Sequence, residues 1–304
     1  MALGGGTFLF HNKVLPGTYI NFVSKIRASA EVSDRGFGAM MLELDYGPSG
    51  TVFRVDADEF QKNCMQYFGY DYTHPKMKGL RDLFTGLKTG YFYRLNSDGA
   101  VASCTLAKAK YAGIRGNALG VSVQSDPDNS GAFIVTTYMT TDNNRQAVAK
   151  QSGVKTAADL VDNEYLKFEK AATLAATAYT ALTGGTNGAA VTTQNYQDGL
   201  EMLEPYYFNV LGYAGSDDAI KGLLINFTHR CRVQTGAKFQ LVIHGKQGVN
   251  DEGVISVLND VTDGGAEKGS AVYWVTGQEA SCAINETVGN RKYTGEYTIN
   301  TKYK

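Results

Sequence analysis

The sequence predicts an α/β domain that is interrupted by a β-sandwich and preceded by an extended N-terminal arm. Over residues 196–259, helix-like and strand-like patterns alternate. After residue 96 the chain changes to short β-like runs separated by turn residues. The first residues are glycine-rich and lead into one strand-like run at 18–23, which can pair inside its own sheet or add to the edge of a neighbour's sheet. Helix–strand alternation is typical of a parallel sheet, and short regular strands are typical of a sandwich. The expected parts are an arm at 1–30, a discontinuous α/β domain at 31–96 and 190–304, and an inserted β-sandwich at 97–189.

The stretch 196–259 organises the predicted α/β domain. Two short apolar runs, 207–211 and 238–243, have the length of buried strands. Between them, Ser216 and two following carboxylates begin a helical pattern, as capping residues and the helix dipole favour. A strand, a crossover helix and a second strand form a parallel, right-handed unit. We therefore expect a parallel sheet that is covered by helices.

Further elements are predicted on both sides of the insert from the same apolar patterns. Predicted strands of the α/β domain are 37–44, 91–95 and 271–275, predicted helices are 56–68, 78–88 and 277–287, and 293–297 is predicted to be extended. Predicted strands of the insert are 100–107, 119–124, 132–139 and 165–168, with a hairpin loop at 126–131 and a return linker at 182–188.

Composition excludes several classes of protein. The 304-residue chain has a formal net charge of −1, whereas a nucleic-acid-binding protein carries a basic stripe. Near-neutrality favours association with other molecules of the same chain. No run approaches the ~20 apolar residues of a membrane helix, and the N-terminus lacks the order of a signal peptide. Four scattered cysteines predict free thiols, so we expect a soluble protein made in the cytoplasm.

A serine hydrolase is the first alternative function. Asp45, His244 and Ser281 follow the Asp, His, Ser order that one class of hydrolases uses. However, the chain has no Gly-x-Ser-x-Gly turn, and Ser281 lies in a helix-like segment. Labelling of Ser281 by an active-site reagent would support this alternative. A second alternative is a carbohydrate-binding module formed by the inserted β domain.

Two other patterns predict structure rather than chemistry. The glycine-rich run at 113–120 lacks the Lys-Ser/Thr pair of a phosphate-binding loop and precedes a strand, so we interpret it as a turn. His229 and Cys231 do not share a helix face, and with His11 and His74 they do not form a zinc spacing. We expect no catalytic, cofactor or metal site.

Five motifs, in order, resemble one family. They are Leu-Pro-Gly-Thr-Tyr-Ile-Asn-Phe at 15–22; Phe-Gly-Tyr-Asp at 68–71 with Gly-Leu-Arg-Asp-Leu-Phe at 79–84; Lys-Tyr-Ala-Gly-Ile-Arg-Gly-Asn at 110–117; Leu-Thr-Gly-Gly-Thr-Asn-Gly at 182–188; and Tyr-Trp-Val-Thr-Gly at 273–277 with Tyr-Thr-Gly-Glu-Tyr at 293–297. Together they resemble the sheath proteins of contractile phage tails and of phage-tail-like bacteriocins, over almost the whole chain.

The resemblance implies a structural role. It implies a subtilisin-like α/β domain without protease activity, a β-sandwich on the outer surface, and hexameric rings that stack helically around a tail tube and contract without a nucleotide or cofactor. Implied partners are copies of the chain, the tube protein, and the baseplate and tail terminator proteins, with no nucleic acid and no membrane insertion. The implied location is the tail of a virion, after synthesis in the bacterial cytoplasm.

The same resemblance implies that terminal arms link neighbouring subunits by strand addition. Its arm residues here are Val14, Leu15, Tyr19, Ile20 and Phe22. Members of the family continue into a C-terminal domain, which this sequence is expected to lack because it ends at Lys304.

Overall fold

The computed structural model of the chain describes residues 35–141, 144–283 and 285–300. The predicted arm therefore lies outside the described residues. The described strands are β1 (Phe37–Leu42), β2 (Val52–Asp56), β3 (Thr89–Arg94), β4 (Ala107–Ala109), β5 (Leu119–Ser125), β6 (Phe133–Thr141), β7 (Asn144–Val154), β8 (Leu166–Phe168), β9 (Thr177–Ala181), β10 (Val210–Tyr213), β11 (Gln240–His244) and β12 (Val254–Val257). The described α-helices are α1 (Ala57–Phe68), α2 (Lys78–Phe84), α3 (Thr193–Leu203), α4 (Asp218–Arg230) and α5 (Ala271–Ser281).

Six strands form one sheet in the order β12-β11-β10-β1-β3-β2. Its pairs are parallel except at the edge, where β2 runs antiparallel to β3. The predicted unit is confirmed, because β10 and β11 pair in parallel with α4 between them in the chain. We call this sheet with its five helices the α/β body.

Helices cover both faces of this sheet. One face packs on α3 and α4, where Ala39 and Leu211 meet Leu200 and Leu224. The other face packs on α1, α2 and α5, and its core includes Met40, Val242, Phe60, Leu83 and Val272. Because both faces are covered, β1, β10 and β11 are apolar and buried along almost their whole length, as the sequence pattern predicts.

The chain between β3 and α3, here called the β insert, forms two small antiparallel sheets. One has the order β7-β6-β5-β9, and the other pairs β4 with β8. Their shared core includes Leu119, Val121, Val135, Met139 and Leu166. The outer strand β7 is mostly exposed to solvent.

The predicted strand at 271–275 is wrong, because these residues begin helix α5. A short apolar run fits a buried strand and a buried helix equally well. Helix α5 lies against α2 so closely that a Cβ atom at Gly277 would be 2.2 Å from the carbonyl oxygen of Leu83. The helix ends at Ser281, so the predicted helix at 277–287 begins too late and extends too far.

Four strands lie outside every predicted strand, and one predicted strand is largely absent. The four are β2, β7, β9 and β12; β7 and β9 are rich in polar residues and contain few buried positions. Within the predicted strand 100–107, only Ser103 forms isolated bridges, to Lys108 and Thr183, before β4 begins. Exposed strands are specified by their neighbours in the sheet more than by their own side chains.

Candidate functional site

A polar junction joins the α/β body to the β insert. Asn96 follows β3, on the chain that leaves the body, and its side chain accepts a hydrogen bond from the Leu44 amide (2.9 Å). The same side chain donates to the Leu44 carbonyl (2.8 Å) and to the carbonyl of Asn187 (3.3 Å). Asn187 lies on the returning chain. One side chain therefore ties the outgoing and returning segments to the end of β1.

Asp45 holds the next part of this junction. Its carboxylate accepts hydrogen bonds from the hydroxyl of Tyr70 (2.5 Å), the amide of Asn187 (2.7 Å) and the ammonium of Lys76. Burial alone would raise the pKa of Asp45, but these hydrogen bonds and the charge of Lys76 outweigh it and hold the pKa below its ordinary value. The carboxylate thus remains ionised at neutral pH.

Arg94 is the third element, and it is fully buried (0% exposed). Its guanidinium donates to the carbonyl oxygens of Gly47 (3.1 Å) and Ala112 (2.7 Å), and more weakly to Asn96 (3.4 Å). No carboxylate of the described ranges forms an ion pair with it, and burial lowers the pKa of the guanidinium. Arg94 therefore connects the loop after β1 to the β insert through backbone carbonyls.

The glycine-rich turn at 113–120 completes the junction. Gly113 has φ 133°, and a Cβ atom there would lie 2.0 Å from the carbonyl oxygen of Asp45. Arg115 donates to the carbonyls of Gly69 (2.8 Å) and Thr140 (3.1 Å) and stacks over the ring of Tyr70. The interpretation of this run as a structural turn is confirmed, since it lets two backbones approach closely.

A second polar contact fixes the residues near the end of the described chain. The buried carboxylate of Asp82, on α2, accepts hydrogen bonds from the Glu296 amide (2.8 Å) and the Tyr293 hydroxyl (3.3 Å). Arg81 forms two hydrogen bonds of 2.6 Å to the Glu296 carboxylate. Burial raises the pKa of Asp82, because the two donors compensate only part of the lost solvation.

An open cleft of about 860 Å³ lies beside the junction. Its walls include the residues after β1 and β10, the loop 263–267, and the tyrosines Tyr196, Tyr213 and Tyr273. The rings of Tyr196 and Tyr213 meet edge to face, with centroids 5.7 Å apart. The cleft is thus formed at the carboxyl edge of the sheet, where the crevices of parallel α/β sheets lie.

The predicted arm residues Val14, Leu15, Tyr19, Ile20 and Phe22 lie outside the described residues. Each member of the possible hydrolase set has another partner. Asp45 belongs to the junction, His244 lies 3.0 Å from the carboxylate of Asp260, and the hydroxyl of Ser281 donates to the Gln278 carbonyl (3.0 Å). Among the described residues, no hydrogen bond or ion pair joins these three side chains as a triad.

The histidines and cysteines of the described ranges have structural surroundings. His74 caps a short 3-10 helix, and His229 lies 3.1 Å from a carboxylate oxygen of Asp251. All four cysteines are free thiols, as predicted. Within the described ranges, no group of three or more His, Cys, Asp or Glu side chains is arranged to hold a metal ion. In the same residues, no helix has the length and apolarity needed to cross a membrane.

Arg94 and Asn96 are junction residues that no sequence pattern predicts. The available signal was their position: Arg94 is the last residue of β3, and Asn96 lies two residues further along the chain. This position does not predict that Arg94 and Asn96 are buried, because arginine and asparagine are mostly exposed in folded proteins.

Fold and junction define a two-part scaffold, an α/β body that carries a β-sandwich. The family model described as the phage tail sheath protein beta-sandwich domain matches residues 97–187, and the model of the phage tail sheath protein central domain matches 189–304. The phage-like element PBSX protein XkdK of Bacillus subtilis is 29% identical over 327 residues, covering 98% of this chain and 67% of that protein.

Solved structures show the same relationship. The sheath tail protein of Desulfitobacterium hafniense superposes with a TM-score of 0.75 at 30% identity, over 95% of this chain and 68% of that one. The sheath tail protein of Listeria innocua gives a TM-score of 0.71 at 31% identity, over 84% and 59%. The chain belongs to the phage tail sheath protein family. It is a structural protein of the phage tail and not an enzyme.

Proposed function

We propose that the chain is the subunit of a contractile tail sheath. It polymerises as stacked hexameric rings around a tail tube, and contraction of the stack drives the tube through the host envelope. The observation that carries this proposal is the likeness to a sheath tail protein over 95% of the chain, at a TM-score of 0.75. Contraction uses conformational energy stored in the lattice and requires no nucleotide.

The proposed division of labour follows the three parts of the chain. Residues 1–30 are the arm, residues 31–96 and 190–304 are the α/β domain, and residues 97–189 are the β-sandwich. We assign the α/β domain a subtilisin-like architecture without catalysis, which its parallel sheet with helices on both faces supports. A rigid body with flexible ties is what two alternative lattice packings require.

The proposed partners are other copies of the chain, the tail tube protein, and the baseplate and tail terminator proteins. Nucleic acid and membranes are not partners, which the net charge of −1 supports for nucleic acid. The particle is a phage, used for genome ejection, or a phage-tail-like bacteriocin. Its subunits are made in the cytoplasm of the host bacterium.

The arm residues Val14, Leu15, Tyr19, Ile20 and Phe22 anchor residues 1–30 to a neighbouring subunit. In an extended conformation the sequence pattern at 18–23 would place apolar side chains on both faces, which supports addition to another sheet.

Negative-stain electron microscopy tests this assignment. We expect rings or tubes from the full chain, and none when Tyr19, Ile20 and Phe22 are all replaced by serine. A matched control replaces Thr18 and Asn21 by serine, which keeps the apolar side chains and should keep the assemblies. Equal assembly by the triple variant would contradict the arm assignment, and an unassembled full chain would contradict polymerisation of this chain.

A further inference from the structure

One face of the four-stranded sheet in the β insert is turned to solvent. Strand β5 buries Leu119, Val121 and Val123 in the core, so the residues between them point to the opposite face. Following the register of the pairs, we call this opposite face the tyrosine face; it consists of Gly120, Ser122 and Gln124 on β5, Ile134, Thr136, Tyr138 and Thr140 on β6, Arg145, Ala147 and Lys150 on β7, and Tyr179 on β9. Apart from Gly120 and Ser122, its members are exposed or half-exposed.

Tyr179 and Arg145 form the centre of the tyrosine face. The missing side chain of Gly120 lets Tyr179 lie close against β5, since a Cβ atom there would be 2.4 Å from the Cζ atom of the ring. The guanidinium of Arg145 lies 3.9 Å from the centroid of the same ring, and the ring of Tyr138 meets it edge to face at 6.0 Å. These four residues come from four different strands. The ring contact therefore holds the planar guanidinium in place and leaves its N–H groups available.

The charges of the tyrosine face have no counter-ions. Strands β5, β6, β7 and β9 contain Arg145 and Lys150 but no aspartate or glutamate. Among the described residues, neither side chain forms an ion pair or donates a hydrogen bond, whereas three other lysines of the insert, Lys108, Lys110 and Lys170, each pair with a carboxylate. An exposed guanidinium with unused donors is suited to a carboxylate, which it can bind through two parallel hydrogen bonds.

The spacing and polarity of the face favour a carbohydrate over other polyanions. Arg145 pairs with Thr140 and Lys150 with Thr136, so the two cations lie about 13 Å apart along the sheet. A nucleic acid carries a charge every ~3.4 Å of each strand and needs more cations than these two. A peptide that adds as a strand binds the edge of a sheet and not its face. Sugar hydroxyls both donate and accept hydrogen bonds, as do the threonine and tyrosine hydroxyls of this face.

We propose that the tyrosine face binds an acidic polysaccharide whose sugars carry carboxylates. Arg145 binds one carboxylate bidentately, and Lys150 binds a second one further along the polymer. The hydroxyls between the two cations form hydrogen bonds to the sugars. This inference goes beyond the proposed function, because assembly and contraction of a sheath require no carbohydrate.

A glycan array tests the proposal with the full chain. The labelled chain is applied to immobilised oligosaccharides that carry uronic or sialic acids, printed beside the same sugars with methyl-esterified carboxyls. We expect binding to free acids and at least about tenfold less to the esters, because an ester lacks the charge that Arg145 recognises. Equal binding to acids and esters, or binding to neither, would overturn the proposal.

Substitutions locate the site on the face. With the acidic oligosaccharide that binds best, Arg145→Gln combined with Lys150→Gln should lower the affinity at least about tenfold. The matched control, Lys62→Gln with Lys167→Gln, removes two charges from exposed positions outside the four strands and should bind as wild type does. Binding by the Arg145/Lys150 variant at the wild-type level would overturn the site.

A single conservative substitution tests the bidentate contact. Arg145→Lys keeps the charge but loses the planar fork, so it should bind less tightly than the wild type and more tightly than Arg145→Gln. Affinity equal to that of the wild type would refute the bidentate contact. Unfolding curves of these variants should stay close to that of the wild type, because both side chains are exposed.

Competition identifies the class of polymer. Polyglutamate, a single-stranded oligonucleotide and a phosphorylated oligosaccharide are each added at equal total charge to the complex with the acidic oligosaccharide. We expect all three to displace it less well than the free acidic oligosaccharide does. Equal displacement by the peptide or the oligonucleotide would overturn a carbohydrate ligand, and equal displacement by the phosphorylated sugar would overturn the preference for carboxylate.

The proposed function is tested separately from this inference. In electron microscopy, the Arg145/Lys150 variant should form the same rings or tubes as the wild-type chain. Loss of assembly in this variant would show that the face contacts other subunits, and it would overturn the assignment to a polysaccharide. Loss of glycan binding with intact assembly is the result that the proposal predicts.

Discussion

The α/β body and the β insert bury their strands in different ways. Strands β1 and β11 of the body have helices on both faces and are buried almost throughout. Strand β7 of the insert is mostly exposed, and the insert keeps its apolar residues on inner faces. Parallel sheets need cover on both sides, whereas antiparallel sheets tolerate solvent on one. The body is thus the rigid core of the molecule, and the insert presents a polar surface.

The junction between the two parts differs from both. It buries polar groups, and its contacts join segments that are distant in the chain, such as Asp45 with Asn187. Buried polar groups are costly when a partner is removed, because the remaining group stays desolvated. Substitutions should therefore be most severe at the junction, intermediate at other buried polar contacts, and least severe on the outer strand of the insert.

Arg94→Ala should have the largest effect. It leaves the carbonyls of Gly47 and Ala112 without their donor and opens a cavity, for an expected loss of about 4 kcal/mol in the free energy of unfolding. Urea unfolding monitored by circular dichroism measures this loss. Arg54→Ala is the control: its side chain is 58% exposed and pairs with Asp56 in solvent, so the loss should be close to the error of the measurement. Equal effects of the two would refute the distinction.

Asp45→Ala should follow, with a loss of about 2 kcal/mol at neutral pH, because three donors lose their acceptor. The pKa of Asp45 is lowered in the folded protein, so its stabilisation is present above the ordinary value of 3.8 and is lost as the pH falls through the folded pKa. For the uncharged variant Asp45→Asn, the difference from wild type in the free energy of unfolding should therefore shrink as the pH is lowered. Unfolding curves at several pH values check this, and a constant difference would contradict it.

Asp82→Asn should give a smaller effect of opposite pH dependence. The pKa of Asp82 is raised in the folded protein, so its contribution to stability is present at low pH and is lost as the pH rises through the folded pKa. Asparagine can still accept the hydrogen bond of the Glu296 amide. From pH 4 to pH 7, the free energy of unfolding of the variant should rise by about 1 kcal/mol relative to that of the wild type. An unchanged or reversed difference, measured by urea unfolding, would count against a raised pKa.

Arg145→Ala on β7 should be the mildest substitution. Its guanidinium lies 3.9 Å from the centroid of Tyr179 at the surface of the insert, a contact worth about 0.5 kcal/mol. Lys150→Ala on the same exposed strand is the control and should be neutral in the same unfolding assay. A loss as large as that of Arg94→Ala would remove the contrast between surface and junction.

The sequence predicted the elements whose burial is continuous. Strands β1, β3, β10 and β11 appear as apolar runs because helices cover both faces of their sheet. The run at 271–275 is equally apolar but forms a helix. Its packing against α2, and not its own sequence, distinguishes a buried helix from a buried strand here. Strands β7 and β9 carry polar residues and depend on pairing with β6 and β5.

The contacts of the junction could not be predicted from the sequence, because they too depend on tertiary packing. The partners of Arg94 are backbone carbonyls, which carry no residue identity, and they come from positions 47 and 112. Glu43 and Glu267 both line the cleft but are separated by most of the chain, so their placement follows only from the order of the strands. The resemblance to sheath proteins required neither.

Sedimentation velocity of the full chain beside a chain without residues 1–24 tests the central claim most directly, since that claim is linkage of copies through the N-terminal segment. The account predicts that the full chain forms species heavier than its 32.9 kDa monomer as concentration rises, while the shortened chain stays folded and monomeric. A shortened chain that assembles to the same extent as the full chain would contradict the account.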